Sequence, residues 1–252
     1  MAGKGSLKQP ERGIPLRAFV PNAVTALALC VGLSSVRFAY MDNWVLAAAA
    51  IVLAGILDGL DGRIARLLNA QSRFGAELDS LSDVIAFGVM FLWSTQYMPQ
   101  FGWVLALTMV VACALRLARF NALIDADDQP HKSAGFLTGI PAPVGAGLAM
   151  LPLYLWMITD EEFFRHYALV APWIVLIAFL MLSNTATFSW SSLRLRKNIR
   201  LEAIAIIALI GVALINSPWI MLSAISIGYL ILIPFSVRSY AKVKRQRAAE
   251  RA

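Results

Sequence analysis

The sequence predicts an all-α fold, a polytopic membrane helical bundle of about eight transmembrane helices with both termini cytoplasmic. Hydrophobic residues make up 59% of the 252 positions, whereas soluble domains contain about 45–50%. Apolar runs of about 17 to 25 residues, the length that crosses a bilayer, recur along the chain. They lie at 18–36, 44–66, 77–96, 101–120, 138–158, 167–185, 201–216 and 218–236.

Lysine and arginine set the predicted orientation. If the N-terminus is cytoplasmic, 20 of the 22 basic residues fall in cytoplasmic segments, as the positive-inside rule requires. The other two, Arg37 and Arg165, fall in outside loops, and the 159–166 loop is acidic. The last two apolar runs are joined by only Asn216, Ser217 and Pro218, so they form either a tight hairpin or a re-entrant pair.

These runs predict one membrane domain over 18–236 in a multi-pass protein of the cell inner membrane. A basic segment, 1–17, precedes it, and a basic tail, 237–252, follows it as an anchor for anionic lipids. The net charge of +7 does not indicate nucleic acid, because the basic residues form short clusters between apolar runs. We therefore expect membrane lipids, and no nucleic acid, as partners.

Four aspartates in or beside these runs require a functional explanation. Asp58 and Asp61 are three residues apart and Asp79 and Asp83 four apart, so each pair projects from one helical face if both segments are helical. Each charge in a membrane helix costs about 2.5 to 3.5 kcal/mol on insertion scales. Oxygen ligands without His or Cys favour hard cations, Mg²⁺, Mn²⁺ or Ca²⁺. Two facing pairs suit a binuclear site for phosphoryl chemistry at the cytoplasmic surface.

The same stretch carries small and basic residues at fixed offsets. Gly62 and Gly75 remove side chains near the carboxylates, so that a ligand can approach the backbone, and Arg66 could clamp a phosphate. Helix-end pairing of the aspartates with arginines is the structural alternative, but it would not require glycines at these offsets. The full pattern is Asp58, Asp61, Gly62, Ala65, Arg66, Gly75, Asp79 and Asp83.

This pattern resembles, at every position, the signature of the CDP-alcohol phosphotransferases. The resemblance implies a six-helix core with the active site on the second and third helices, and a homodimer. Asp58, Asp61 and Asp79 would bind two divalent ions, Mg²⁺ or Mn²⁺. Asp83 would complete the metal site and act as the catalytic base. The CDP moiety would be contacted by Gly62, Arg66 and Ser72.

Three softer patterns resemble the branch of this family that uses L-serine. They are Pro21-Asn22 with Thr25, the segment 115–121, and Gly139 to Pro143. The segment 183–192 is only loosely similar and is assigned no role. The roles that this resemblance implies are nucleotide contacts for Asn22 and Thr25, and binding of the lipid phosphate or the serine carboxylate by Arg116, Arg119 and Asn121.

Each of these residues also has a structural interpretation. The two arginines could be positive-inside anchors, Asn121 could cap its helix, and Asn22 could be a helix-start feature. Pro141 and Pro143 are expected only to shape entry into the fifth helix.

The expected reaction transfers the phosphatidyl group of CDP-diacylglycerol to the L-serine hydroxyl and releases CMP. Choline, glycerol 3-phosphate or inositol phosphate remain alternative acceptors, because the aspartate signature concerns the donor. From another class, intramembrane carboxylates could form the path of a cation transporter. A transporter would place them near the bilayer midplane and show repeats, whereas here they lie at predicted helix ends.

Overall fold

A computed structural model describes residues 16–70, Gly75, 102–122, 136–188 and 200–249, with some side chains within these ranges left undescribed. The chain is helical through most of these ranges. Its elements are α1 (Leu16–Tyr40), α2 (Trp44–Leu67), α3 (Gly102–Ala122), β1 (Phe136–Thr138), α4 (Ala142–Ala149), α5 (Leu151–Thr159), a 3-10 turn (Glu162–Arg165), α6 (Tyr167–Leu182), β2 (Ala186–Phe188), α7 (Arg200–Asn216) and α8 (Pro218–Ala249).

Five segments within these ranges are long and apolar enough to cross a bilayer. This finding confirms a polytopic helical membrane protein. The predicted span 77–96 lies outside the described residues, so eight spans and cytoplasmic termini remain predictions. The five segments are Phe19–Tyr40, Trp44–Leu67, Gly102–Phe120, Ala142–Thr159 and Pro218–Val243.

The first two helices form a closely packed antiparallel hairpin. Asn43 begins α2 by accepting a hydrogen bond from the Leu46 backbone N–H at 3.1 Å, as N-terminal caps do. Ala47 and Ala48 are completely buried, because small side chains let membrane helices approach closely. This packing holds the carboxyl end of α2 against the start of α1.

The all-α prediction misses a two-stranded sheet. β1 and β2 pair antiparallel, with Leu137 opposite Thr187, so the predicted helix 138–158 is wrong at its start, and the predicted helix 167–185 ends earlier, at Leu182. Gly139 has φ +71°, a left-handed conformation that favours glycine, and Pro141 is extended before α4. A helix therefore begins only at Ala142.

The predicted fifth helix is also divided, at Met150, into α4 and α5. Pro152 has no N–H to donate to the Leu148 carbonyl one turn earlier. The indole N–H of Trp173 on α6 donates a hydrogen bond to that carbonyl instead, at 2.9 Å. A neighbouring helix thus satisfies the backbone group that proline leaves open.

At the other end of α6, Ser183 stops the helix. Its hydroxyl donates to the Leu180 carbonyl at 2.9 Å, a local bond that competes with helix continuation. The chain then turns into β2, which also packs against α8. The last helix continues to Ala249, well past the predicted span end at residue 236.

Two ends of the bundle can be distinguished. At one, which we call the tryptophan end, Trp44, Trp156 and Trp219 line a common cavity. Helix α2 begins there and carries Asp58 and Asp61 away from it, and α6 runs in the same direction toward the β1–β2 sheet. We call this second end the aspartate end.

Candidate active site

Asp61 lies near the carboxyl end of α2 and is only 6% exposed. The hydroxyl of Thr25, on α1, donates a hydrogen bond to Asp61 Oδ2. Thr25 is itself 3% exposed and also lies 3.1 Å from the Pro21 carbonyl. The α1–α2 hairpin therefore fixes one carboxylate oxygen of Asp61, and the sequence pattern that contains Pro21 and Thr25 meets the aspartate signature in space.

Asp58 lies three residues earlier on the same face of α2. Its residue is half-buried, and its Oδ1 atom is shielded from solvent. Two carboxylates thus share one side of a membrane helix, and oxygen donors of this kind suit Mg²⁺ or Mn²⁺. The two residues present fit half of the predicted metal site.

The other half of that site lies outside the described residues. Asp79, Asp83 and Ser72 all fall there. Within the part of the chain that the structure describes, no three metal-ligating side chains cluster, as expected when two of four predicted ligands are missing from it. The four-aspartate site therefore stays a prediction.

Gly62 and Arg66 follow the aspartates on α2. No described atom lies within 4 Å of a Cβ built at Gly62, so the helices that the structure describes leave this stretch of backbone uncovered. Arg66 lies one turn later and is exposed in the last turn of the helix. Both positions are compatible with the predicted CDP contacts, which nothing in the structure tests.

The two predicted arginines on α3 lie in different surroundings. Arg119 Nη1 donates to Asn184 Oδ1 at 2.9 Å and to the Leu182 carbonyl at 3.3 Å, so it caps the end of α6. Arg116, one turn earlier, lies near Tyr229 of α8. A ligand-binding role for either arginine remains a prediction.

The two remaining predicted residues are asparagines, one on α1 and one on α3. Asn22 is half-buried on α1, and the side chain of Asn121 at the end of α3 lies outside the described part. Sequence reasoning missed the 183–188 segment, where Thr187 donates to the Gly139 carbonyl at 2.8 Å. Its hydroxyl-rich composition was an available signal, but nothing in it indicated pairing with residues 136–138.

The helical membrane fold agrees with comparisons to known proteins. Residues 18–183 match the CDP-alcohol phosphatidyltransferase family, and residues 198–234 match a second family description, CDP-alcohol phosphatidyltransferase 2. Because the first match covers more than half of the chain, the protein belongs to the CDP-alcohol phosphatidyltransferase family. The family resemblance of the aspartate signature is confirmed.

Several similar proteins carry one name, CDP-diacylglycerol–serine O-phosphatidyltransferase. That of Mycobacterium tuberculosis is 36% identical over 258 residues, covering 96% of this chain and 90% of the relative. That of Helicobacter pylori is 38% identical over 181 residues, with coverage of 68% and 71%. That of Saccharomyces cerevisiae is 40% identical over 107 residues, covering 40% of this chain and 38% of the relative.

Proposed function

We propose that this protein transfers the phosphatidyl group of CDP-diacylglycerol to the hydroxyl of L-serine, giving phosphatidylserine and CMP. The names of relatives that align over most of the chain support serine as the acceptor. The structural observation that carries the proposal is the buried Asp61, held by Thr25 beside Asp58 inside the family-matched region. Such a carboxylate pair is costly to keep in a membrane unless a cation binds it.

Asp58, Asp61, Asp79 and Asp83 would hold two divalent ions, Mg²⁺ or Mn²⁺. When bound, the ions would neutralise the pyrophosphate and stabilise the departing CMP. Thr25 orients Asp61 through its hydrogen bond, because a carboxylate that accepts a bond at one oxygen has a restricted rotation. The nucleotide would approach the backbone at Gly62, which has no side chain, and Arg66 would bind phosphate there.

Asp83 would take the proton from the serine hydroxyl as the general base. The serine oxygen then forms a bond to the phosphorus that carries diacylglycerol. The bond between that phosphorus and the oxygen of CMP breaks, and its electron pair leaves with CMP. Asp83 keeps the proton until water accepts it.

The membrane supplies the setting. CDP-diacylglycerol would enter laterally with its acyl chains in the bilayer and its cytidine on the cytoplasmic side of the inner membrane. The aspartate end would face the cytoplasm, as the distribution of basic residues predicts. The working unit would be a homodimer.

The acceptor is tested by following CMP release from CDP-diacylglycerol by the purified full-length protein in detergent. L-serine, choline, glycerol 3-phosphate and inositol 1-phosphate are supplied separately, each with Mn²⁺, with Mg²⁺ or with a chelator. We expect release that requires both serine and a divalent ion. Release with another acceptor alone would overturn the serine assignment, and release in the chelator would overturn the metal requirement.

A further inference from the structure

Helix α8 lies beyond residue 183, where the first family match ends, yet it presents a polar stripe to the rest of the bundle. Ser226 is 7% exposed and Ser236 1% exposed. Tyr229 is half-buried, and the Tyr240 ring contacts Phe136 of β1 edge-on, with the centroids 5.4 Å apart. Successive residues of this stripe are three, seven and four positions apart in the sequence, so they share one helical face.

The hydroxyl of Tyr229 is the notable group on this face. It is shielded from solvent, and it makes no hydrogen bond of ordinary geometry with any residue that the structure describes. It lies beside the Thr187 side chain and within electrostatic range of the Arg116 guanidinium. The Thr187 hydroxyl donates its own hydrogen bond to the Gly139 carbonyl. The Tyr229 O–H and the Arg116 guanidinium are thus two hydrogen-bond donors in the same region of the bundle.

The polar stripe also lies at the depth of the aspartates. Trp44 at the start of α2 and Trp219 at the start of α8 line the same cavity, so both helices begin at one level. At 1.5 Å per residue, Asp58 lies about 21 Å along α2 from Trp44, while Tyr229 lies about 15 Å and Ser236 about 26 Å along α8 from Trp219. The two α8 hydroxyls therefore bracket the depth of the carboxylate.

We propose that Tyr229, together with Arg116, forms an oxyanion-binding subsite of the active site, contributed by a helix outside the first family match. This inference rests on the proposed function. A phenolic donor beside a guanidinium suits one negatively charged oxygen group. Among the described residues the phenolic O–H has only the Thr187 hydroxyl beside it and makes no hydrogen bond of ordinary geometry. Leaving a buried donor poorly satisfied is costly, and a substrate oxyanion would satisfy it. That group is either the serine carboxylate or a phosphate of CDP-diacylglycerol.

The test compares Tyr229→Phe with Tyr154→Phe in the full-length protein. Tyr154 is a matched control because it is also buried, on α5, and its ring stacks on Trp219 at the tryptophan end. The values of KM for serine and for CDP-diacylglycerol are measured separately. We expect Tyr229→Phe to raise one KM about tenfold, as for the loss of one hydrogen bond to a charged group, while Tyr154→Phe raises neither.

The substrate whose KM rises identifies the bound group. A higher KM for serine, with no change for CDP-diacylglycerol, assigns the carboxylate, and the reverse assigns the lipid phosphate. In Arg116→Lys, which keeps the charge but loses the planar fork, the KM of the same substrate must rise. If both KM values in Tyr229→Phe equal those of Tyr154→Phe, or if Arg116→Lys affects the other substrate, the subsite is wrong.

A failure of the proposed function would give a different result. If the wild-type protein releases no CMP with serine, the serine assignment fails whatever the variants do. The subsite is then tested by direct binding of CDP-diacylglycerol, which Tyr229→Phe must weaken relative to Tyr154→Phe. Equal binding by the two variants would overturn the subsite independently of the acceptor.

Discussion

Acidic residues occupy both ends of this bundle, but in opposite environments. At the tryptophan end, Asp42, Asp160 and Glu162 are exposed, and Glu162 accepts a hydrogen bond from Arg165 at 2.9 Å. At the aspartate end, Asp61 is 6% exposed and held by a threonine hydroxyl. A surface ion pair contributes about 0–1 kcal/mol, whereas a charge within a membrane helix costs about 2.5–3.5 kcal/mol. Burial, rather than the number of acids, distinguishes the end at which we propose the active site.

A cavity by itself does not make this distinction. A cavity of about 460 Å³ lies at the tryptophan end, and a large pocket is the usual first candidate for an active site. Its lining combines Trp44, Trp156 and Trp219 with the exposed Asp42 and Asp160, and tryptophan is enriched where membrane proteins meet the bilayer interface. The buried carboxylates lie at the opposite end, which is the end that the family signature identifies.

Apart from loss of the metal ligands on α2, the largest effect is expected for the proposed base. Asp83→Asn should lower serine-dependent CMP release by about 10² to 10⁴-fold, the usual contribution of general-base catalysis, while much of the CDP-diacylglycerol binding is retained. Turnover and binding are measured on the same preparation. Asp160→Asn, at the tryptophan end, is the control and should keep wild-type turnover. Wild-type turnover in Asp83→Asn would show that another group is the base.

A smaller effect is expected when the support of Asp61 is removed. Thr25→Val keeps the side-chain shape but removes the hydroxyl, and loss of such a supporting bond typically costs about 10 to 100-fold in metal affinity. The measurement is the Mn²⁺ concentration for half-maximal turnover. Thr108→Val is matched, because the Thr108 hydroxyl donates to the Val104 carbonyl of its own helix, at 2.8 Å, and lies on α3 rather than beside an aspartate of α2. Equal Mn²⁺ requirements in both variants would contradict the role of Thr25.

The next effect concerns stability at the aspartate end. In Gly139→Ala the new Cβ would lie 2.7 Å from the Met181 carbonyl oxygen, at a φ of +71°. A non-glycine residue in this conformation costs about 1–3 kcal/mol, so the midpoint of thermal unfolding in detergent should fall. Gly147→Ala is the control, since no described atom lies within 4 Å of its Cβ. Equal midpoints would mean that the turn before α4 is relaxed.

The smallest effect is expected at the tryptophan end. Arg165→Ala removes the pair with Glu162 and the cation above the Trp156 ring, 4.4 Å from its centroid. The Arg165 side chain is 13% exposed and that of Glu162 76%, and contacts of these kinds at such partly shielded sites contribute about 1–2 kcal/mol. The unfolding midpoint should fall slightly and serine-dependent turnover should stay unchanged. A large loss of turnover would mean that the two ends are functionally coupled.

Periodicity and spacing predicted most of the architecture but not its interruptions. Apolar runs located α1, α2, α3 and α8 because bilayer thickness fixes helix length. They could not show that Trp173 donates a hydrogen bond to the Leu148 carbonyl, which Pro152 leaves without an intrahelical partner, because that contact joins two helices. The β1–β2 pairing depends on residues 48 to 52 positions apart, and short strands of this kind leave little signal in hydrophobicity.

The candidate site was predictable to a similar degree. The aspartate spacing placed Asp58 and Asp61 on one face, because helical geometry is local. The contact between Thr25 and Asp61 depends on how two helices cross, as do the bonds from Arg119 to the end of α6. The sequence did not single out Tyr229 either, because its proposed role depends on neighbours on α3 and β2.

The central claim is that the buried carboxylates bind the divalent ions that the reaction requires. The direct measurement is serine-dependent CMP release by Asp61→Ala and Asp42→Ala side by side, over a range of Mn²⁺ concentrations. We predict that Asp61→Ala loses at least about 10³-fold of turnover, because metal ions supply several kcal/mol of transition-state stabilisation, while Asp42→Ala follows the wild type. Equal turnover and equal Mn²⁺ dependence in the two variants would contradict the account.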